Sequence, residues 1–308
     1  MKRECFICGD SHIKFLMEKD GHRLWHCKKC GLNFIHPQPS KKKLQEVYSL
    51  EGGYSHSNKG FDVKSSETNR DSRVNFLVKN KKRNVLDVGC ASGYFVHNAK
   101  FAGLDAVGID LDADSIKFGQ KLGLDLKHGR LNEMGFKNAS FDAINLGDVI
   151  EHVKNPRVLL KECLRILKND GILIISTPNT NSLFPKITKW VYENFGITWS
   201  HPTPPYHLFD FSDENLELLL NKIGLKIEHT TYSKSSLSYS IYHTGYFNNI
   251  RKNINGQSGG NIIAGVIKSF SPAMFLQVGV AFVYSIAFVA DKIFGENGCQ
   301  MIIYSIKK

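Results

Sequence analysis

Three groups of residues have the types and spacing for chemistry. Cys5-Phe6-Ile7-Cys8 and Cys27-Lys28-Lys29-Cys30 are two C-x-x-C pairs, and Gly9 and Gly31 follow directly where a tight knuckle needs φ > 0. Four thiolates at this spacing suit tetrahedral Zn²⁺ and leave no position for water, so Cys5, Cys8, Cys27 and Cys30 are expected to hold a structural zinc. Such a site carries a net charge of −2, which Lys2, Arg3, Lys28 and Lys29 partly offset. The second group is the turn Leu86-Asp87-Val88-Gly89-Cys90-Ala91-Ser92-Gly93, whose small residues let a ligand approach the backbone ahead of a helix N-terminus. Asp110 follows about 20 residues on, where a carboxylate accepts hydrogen bonds from ribose hydroxyls. The turn lacks G-x-G-x-x-G, so a nucleoside is expected there rather than a pyrophosphate. The third group is Asp148, Glu151 and His152, in which an imidazole near its ordinary pKa is a general base for a hydroxyl or an acidic carbon.

The elements that must position these groups are legible as alternating strands and helices. Apolar runs at Val85–Val88, Ala106–Ile109, Asp142–Leu146 and Gly171–Ser176 are separated by helix-length segments, the pattern of a parallel sheet. The Gly-containing turn then leaves the first strand, Asp110-Leu111 ends the second, and Asp148 to His152 lie just past the fourth. These are carboxyl ends, where open α/β sheets bind ligands. Asn155-Pro156 starts a helix that is expected to stop at Asn169-Asp170-Gly171. Ser212-Asp213-Glu214 opens another, Gly224 closes it, and Leu225–Thr231 and Gln300–Ile306 supply the last two strands. Ahead of the sheet, Ser40 caps a short helix at Lys41 to Tyr48, Glu51 to Gly60 reads as a loop, and Asp62 to Val78 reads as a helix that packs through Val74, Leu77 and Val78.

With these residues in place, the chain resembles the class I S-adenosylmethionine-dependent methyltransferases. Asp87, Gly89 and Gly93 match the family's acidic-x-Gly-x-Gly-x-Gly turn, and Ala91 stands at its middle glycine. The fold class implied is α/β, a doubly wound, mostly parallel seven-stranded Rossmann-like sheet, here with a small N-terminal zinc ribbon and an apolar helical insertion before the last strand. The resemblance implies S-adenosyl-L-methionine at Asp87, Gly89, Cys90, Gly93, Asp110 and Leu111, with Arg130 and Leu131 in an adenine-contacting segment. It is closest to sugar-modifying and small-molecule methyltransferases with an N-terminal zinc ribbon, where a Tyr-His pair faces the acceptor. His207, after Tyr206, thus stands beside His152 and Glu151 as a catalytic candidate. Glu-His at this point also occurs in ubiquinone-biosynthesis O-methyltransferases, which implies a second divalent ion at Asp148, Glu151 and His152. Thr203-Pro204-Pro205-Tyr206 is not the Pro-Pro-Tyr motif of amino-methylating enzymes, since it begins with Thr and follows the fifth strand.

The expected organisation is a zinc ribbon over 1–40, a linker with helices over 41–80, a cofactor-binding domain over 81–231 plus 299–308, and an insertion over 232–298. The insertion contains Ser269–Ala290, 22 uncharged residues, long enough for a bilayer of about 30 Å. A true span would strand the last β-strand on the far side, which leaves peripheral membrane contact through 261–290 or a helix buried in the core or a dimer. The basic start lacks an apolar run, and four of seven cysteines are paired for metal, so a cytoplasmic location is expected, with membrane association on the cytoplasmic face. Cys90, Cys163 and Cys299 remain as ordinary thiols. Forty Lys+Arg against 29 Asp+Glu give a net charge of +11, which suits anionic ligands, nucleic acid or lipid. The expected activity is methyl transfer to oxygen or carbon of a sugar-like or other small acceptor, such as a sugar nucleotide or a lipid-linked molecule. Two alternatives are an RNA base methyltransferase, weakened by the lack of an aromatic-basic stripe, and a non-catalytic, membrane-attached nucleoside-binding scaffold.

Overall fold

The computed structural model describes residues 4–40, 42–44, 71–195, 199, 204–233, 289, 298 and 300–308. The chain divides into two compact units: Met1–Thr177 with Pro204–Thr231 and Ile302–Lys308, and Pro178–Thr203 with Tyr232–Met301. Residues 178–203 thus group with the expected insertion. Most of the helix expected at 41–48, the loop at 51–60, and residues 269–290 apart from Val289 lie outside the described residues. Among the described residues, no helix is long and apolar enough to cross a membrane.

The first unit contains two sheets. The N-terminal strands β1 (Ile13–Lys19), β2 (His22–Cys27) and β3 (Asn33–Ile35) form an antiparallel meander. Further along come β4 (Asn84–Val88), β5 (Asp105–Asp110), β6 (Leu126–His128), β7 (Phe141–Gly147), β8 (Leu167–Pro178), β9 (Phe209–Asp210), β10 (Leu225–Ser233) and β11 (Gln300–Lys307). The large sheet has the order β10-β11-β8-β7-β4-β5-β6, a Rossmann-like arrangement whose β6, β5, β4, β7 and β8 are mutually parallel. Strand β4 lies between β5 and β7, so the chain order reverses there, the kind of switch point at whose carboxyl ends open α/β sheets bind ligands. The strands read as apolar runs because both faces are covered: Val85, Leu86, Ala143 and Ile144 have no exposed surface.

Side-chain caps mark the starts of several helices. Of the helix expected over Asp62–Val78, residues 62–70 lie outside the described residues, and the rest forms α1 (Ser72–Lys79), capped by Asp71 at φ −59°, ψ 127°, whose carboxylate accepts the orphan N–H of Arg73 at 2.9 Å. The helix buries Val74 and Leu77, while Val78 is exposed, a departure from the sequence reading. Helix α2 (Tyr94–Phe101) begins at Gly93, and α3 (Ala113–Lys121) is capped by Asp112. Helix α4 (Pro156–Ile166) starts at Asn155 as expected, yet ends before the expected Asn169-Asp170-Gly171, because Leu167 turns extended and pairs with Phe141 at a bulge. In the second unit, α5 (Leu183–Phe195) is held by Trp199, whose indole N–H donates to Pro185 O at 3.1 Å. Back in the first unit, Ser212 and Asn215 form a reciprocal capping box at the start of α6 (Asp213–Lys222).

One feature of the small sheet had no signal in the sequence. Strand β9 leaves the large domain to become the fourth strand of the N-terminal sheet, pairing Asp210 with Asn33 and Phe209 with Phe34.

Candidate active site and metal centre

The loop after β4 is built for close approach. Gly89 N and Cys90 N both donate to Ile109 O, at 2.8 and 3.0 Å, and Gly89, Ala91 and Gly93 all have positive φ. A Cβ on Gly89 would stand 2.4 Å from Val149 Cγ2, so this loop touches the loop after β7 three residues before His152. Asp110 holds the turn: its Oδ2 accepts from Ala91 N and its Oδ1 from Asp112 N, each at 2.8 Å. A carboxylate has about four acceptor sites, so capacity remains for ribose hydroxyls. Leu111 beside it is 58% exposed and Arg130 is half exposed near Glu133, whereas Leu131 and Cys90 are buried. Asp87 is buried beneath the loop, where its Oδ1 accepts from Asn145 Nδ2 at 2.7 Å; burial pushes its carboxyl up to about 7, against that hydrogen bond and nearby Arg73.

Arg73 and Asn145 were missed in the sequence. Arg73 is clamped by Asp71, with Nη2 2.6 Å from Oδ2; its Nη1 lies 3.3 Å from Asn145 Oδ1, and its guanidinium lies 5.0 Å from the Phe95 ring centroid. Burial opposes its charge, but Asp71 outweighs this and holds Arg73 above the ordinary guanidinium range. The available signal was Asn145 itself, a polar residue inside the apolar run Ala143-Ile144-Asn145-Leu146, which must find a buried partner.

At the end of β7, Glu151, His152 and His207 come together, with one ligand-type atom from each within 4.8 Å of the others. Asp148 does not join this set, so the expected trio of Asp148, Glu151 and His152 is replaced by one containing His207. Asp148 instead has φ 54° and is tied through its N–H to Ser176 O at 2.9 Å. His152 Nδ1 lies 2.8 Å from Tyr206 O, and the His152 and His207 rings meet edge to face with centroids 4.9 Å apart. Burial drives the His152 pKa down to about 4, so the imidazole is neutral at pH 7. Glu151 is 1% exposed, and burial, then the charge of Asp148, hold its carboxyl well above the usual range. Neither of its oxygens finds a well-aligned hydrogen bond among the described residues, although the Thr177 hydroxyl favours the charged form. Burial thus disfavours charge on both side chains, the imidazolium of His152 and the carboxylate of Glu151.

At the N-terminus the four cysteine sulfurs fall within 4.8 Å of one another, with Cys5 3.5 Å from Cys30 and Cys8 3.4 Å from Cys27. Tetrahedral zinc with bonds of about 2.3 Å requires sulfurs roughly 3.8 Å apart, so the set fits that ion with small adjustment. The Cys5–Cys30 contact lowers the Cys5 thiol and raises that of Cys30, so without a metal the pair favours a single thiolate.

A methyltransferase-domain family model matches residues 65–230, more than half of the chain. The chain belongs to this methyltransferase family. A probable S-adenosylmethionine-dependent methyltransferase of Mycolicibacterium smegmatis is 29% identical over 150 residues, 48% of this chain and 54% of that protein. The mitochondrial ubiquinone biosynthesis O-methyltransferase of Rattus norvegicus is 30% identical over 154 residues, 47% of this chain and 44% of that protein. The chain thus spans about half the length of these curated relatives. The crystal structure of a SAM-dependent methyltransferase from Archaeoglobus fulgidus superposes with a TM-score of 0.50 at 18% identity, covering 84% of this chain and all of that one, a likeness of fold.

Proposed function

We propose that this methyltransferase uses S-adenosyl-L-methionine to methylate an oxygen or carbon of a small, sugar-like acceptor, with a structural zinc in the N-terminal ribbon. The observation that carries the reading is the meeting of neutral His152 with His207 and Glu151 beside the Gly89 loop. S-adenosylmethionine, when bound, supplies an electrophilic methyl on a sulfonium.

The chain's own residues do the rest. Gly89 to Gly93 admit the cofactor against the backbone, and Asp110 accepts from the ribose hydroxyls while bracing Ala91. Leu111, Arg130 and Leu131 frame the adenine, and Arg73, set by Asp71 and Asn145, offers a cation to the cofactor's carboxylate. His152 Nε2 takes the proton of the acceptor hydroxyl or of a carbon next to a carbonyl, which makes the nucleophile. His207 abuts that ring, and the buried Glu151 carboxyl, whose burial favours its neutral form, lies with Oε1 3.9 Å from His152 Nε2. Displacement at a methyl carbon is in line, so holding the acceptor atom within about 3–3.5 Å supplies much of the rate.

The test is incubation with methyl-tritiated S-adenosylmethionine and, separately, sugar nucleotides, small phenols and total RNA, for wild type and His152→Ala. Label in a sugar nucleotide or phenol that depends on His152 is the expected result. Label confined to RNA would replace the acceptor class, and cofactor binding with no transfer to any of them would favour a scaffold.

A further inference from the structure

Residues 206–210 are held by backbone hydrogen bonds on both sides. Toward the large sheet, Leu208 N and Phe209 N donate to Glu151 O at 2.8 and 3.3 Å, and Tyr206 O faces His152 Nδ1. Toward the ribbon, Ile35 N donates to Leu208 O at 3.0 Å, and Phe209 and Asp210 pair with Phe34 and Asn33. The peptide next to His207 therefore bridges β3 and Glu151.

The first cysteine knuckle closes on the same segment. Phe6, between Cys5 and Cys8, sets its ring edge to face on Phe34 and on Phe209, with centroids 5.4 and 5.1 Å apart. Ile7 O accepts from Lys222 Nζ at 3.0 Å and from Arg157 Nη2, which brings two cations to a four-thiolate site of net charge −2. Gln38 Nε2 reaches Lys154 O at 3.3 Å, beyond His152.

We infer that the metal-bound knuckle is a positioning element for His207: zinc at Cys5, Cys8, Cys27 and Cys30 fixes Phe6 and β3, which fix residues 206–210. This rests on the zinc and acid–base readings above. The physical reason is size. Strand β9 has two residues and cannot hold its register without β3, and a ribbon this short depends on its metal for folding. When the metal leaves, Leu208 keeps its bond to Glu151 and loses the opposing one from Ile35, so the His207 ring is released from His152. The cofactor loop stays intact, because Gly89, Cys90 and Ala91 are tied to Ile109 and Asp110. Zinc occupancy thus sets the acceptor side of the site and leaves the cofactor side alone, with Phe6 as the positioning residue between them.

The full chain, labelled with ¹³C,¹⁵N-histidine and with His207 assigned by His207→Gln, provides the test. Three samples are compared with zinc-loaded wild type: protein stripped with a thiol reagent and EDTA, Phe6→Ala with zinc retained, and Phe6→Tyr. In stripped protein and in Phe6→Ala, the His207 and His152 ring resonances move and diethyl pyrocarbonate modifies His207 roughly fivefold faster or more. Phe6→Tyr, which keeps a ring, restores both signals, and S-adenosylhomocysteine affinity by calorimetry stays within roughly threefold throughout. Unchanged His207 signals and reactivity in both perturbed samples, with zinc measured in wild type, would overturn the inference and leave the proposed function standing. Wild type that takes up no zinc would overturn the metal reading and the inference with it. Loss of S-adenosylhomocysteine binding in zinc-retaining Phe6→Ala would overturn the independence of the two sides.

Discussion

His152 Nδ1 lies 2.8 Å from the carbonyl oxygen of Tyr206. A carbonyl only accepts, so Nδ1 carries the proton and the neutral ring presents its lone pair at Nε2. The residue after that carbonyl is His207, whose ring meets His152. One stretch of backbone therefore chooses the tautomer of one imidazole and the position of the other.

His152→Ala is expected to lower turnover by a factor on the order of 100 at saturating cofactor, with S-adenosylhomocysteine affinity unchanged. The pH dependence follows from a His152 pKa lowered from 6.5 to about 4. The base form persists down to about pH 4, so the acid limb of turnover from this group falls well below 6.5. The unfolded chain binds the extra proton between those values, so the stability His152 contributes is present above 6.5 and lost as pH falls through about 4. Thermal melts of wild type and His152→Gln should diverge in that window, with wild type losing more. An acid limb near 6.5 that disappears in His207→Gln would make His207 the base, and one that survives would contradict the lowered His152 pKa.

Asp110→Ala removes two kinds of bond, those proposed to ribose and those that brace Ala91 and Asp112. Hydrogen bonds to a charged group are worth about 1.5–3 kcal/mol each, so S-adenosylhomocysteine affinity should fall about 100-fold or more by calorimetry. Because the brace also goes, amide exchange at Ala91 and Gly93 should speed up even without ligand. Unchanged affinity would remove Asp110 from the cofactor site.

The parts of this site legible in the sequence were those with short-range spacing. The cysteine pairs, the Asp87 to Gly93 turn and the acid ending the second strand each lie within a few residues of one another or at a fixed strand interval, and the parallel runs reported both faces buried. The role of Phe209-Asp210 was invisible because two residues have no periodicity, and their partners Phe34 and Asn33 lie in another module. Arg73 was hidden for a related reason: it sits in a mostly polar helix, and its meaning comes from Asn145 and Asp87 on two separate strands. The exchange of Asp148 for His207 beside Glu151 was likewise unreadable, since it depends on the return path of a loop rather than on spacing.

Asp210 is 5% exposed, and its Oδ2 has no hydrogen-bond partner among the described residues. Burial raises its carboxyl from 3.8 to about 7, against the pull of Lys19. The folded state therefore holds the proton more tightly, and the stability linked to it is full below about 3.8 and lost as pH rises through about 7. Asp210→Asn should be more stable than wild type at pH 8 by on the order of 2 kcal/mol, with the difference closing below pH 4. Denaturant melts at pH 4 and pH 8 check this, and a variant less stable at pH 8 would mean that the charge on Asp210 is already well compensated by Lys19.

Gly89 links the two halves of the site. At φ 75°, with Val149 Cγ2 2.4 Å from where a Cβ would stand, it is closed to side chains by backbone and neighbour alike. Gly89→Ala should cost about 1–2 kcal/mol from the left-handed backbone alone, plus whatever Val149 must yield. Because Val149 leads into Glu151 and His152, the displacement reaches those two residues as well as the proposed cofactor loop. Val149→Ala clears the contact but not the φ penalty, so Gly89→Ala/Val149→Ala should recover part of the lost S-adenosylhomocysteine affinity and only part of the lost stability. Full recovery would assign the whole constraint to the Val149 contact, and none would assign it to the backbone.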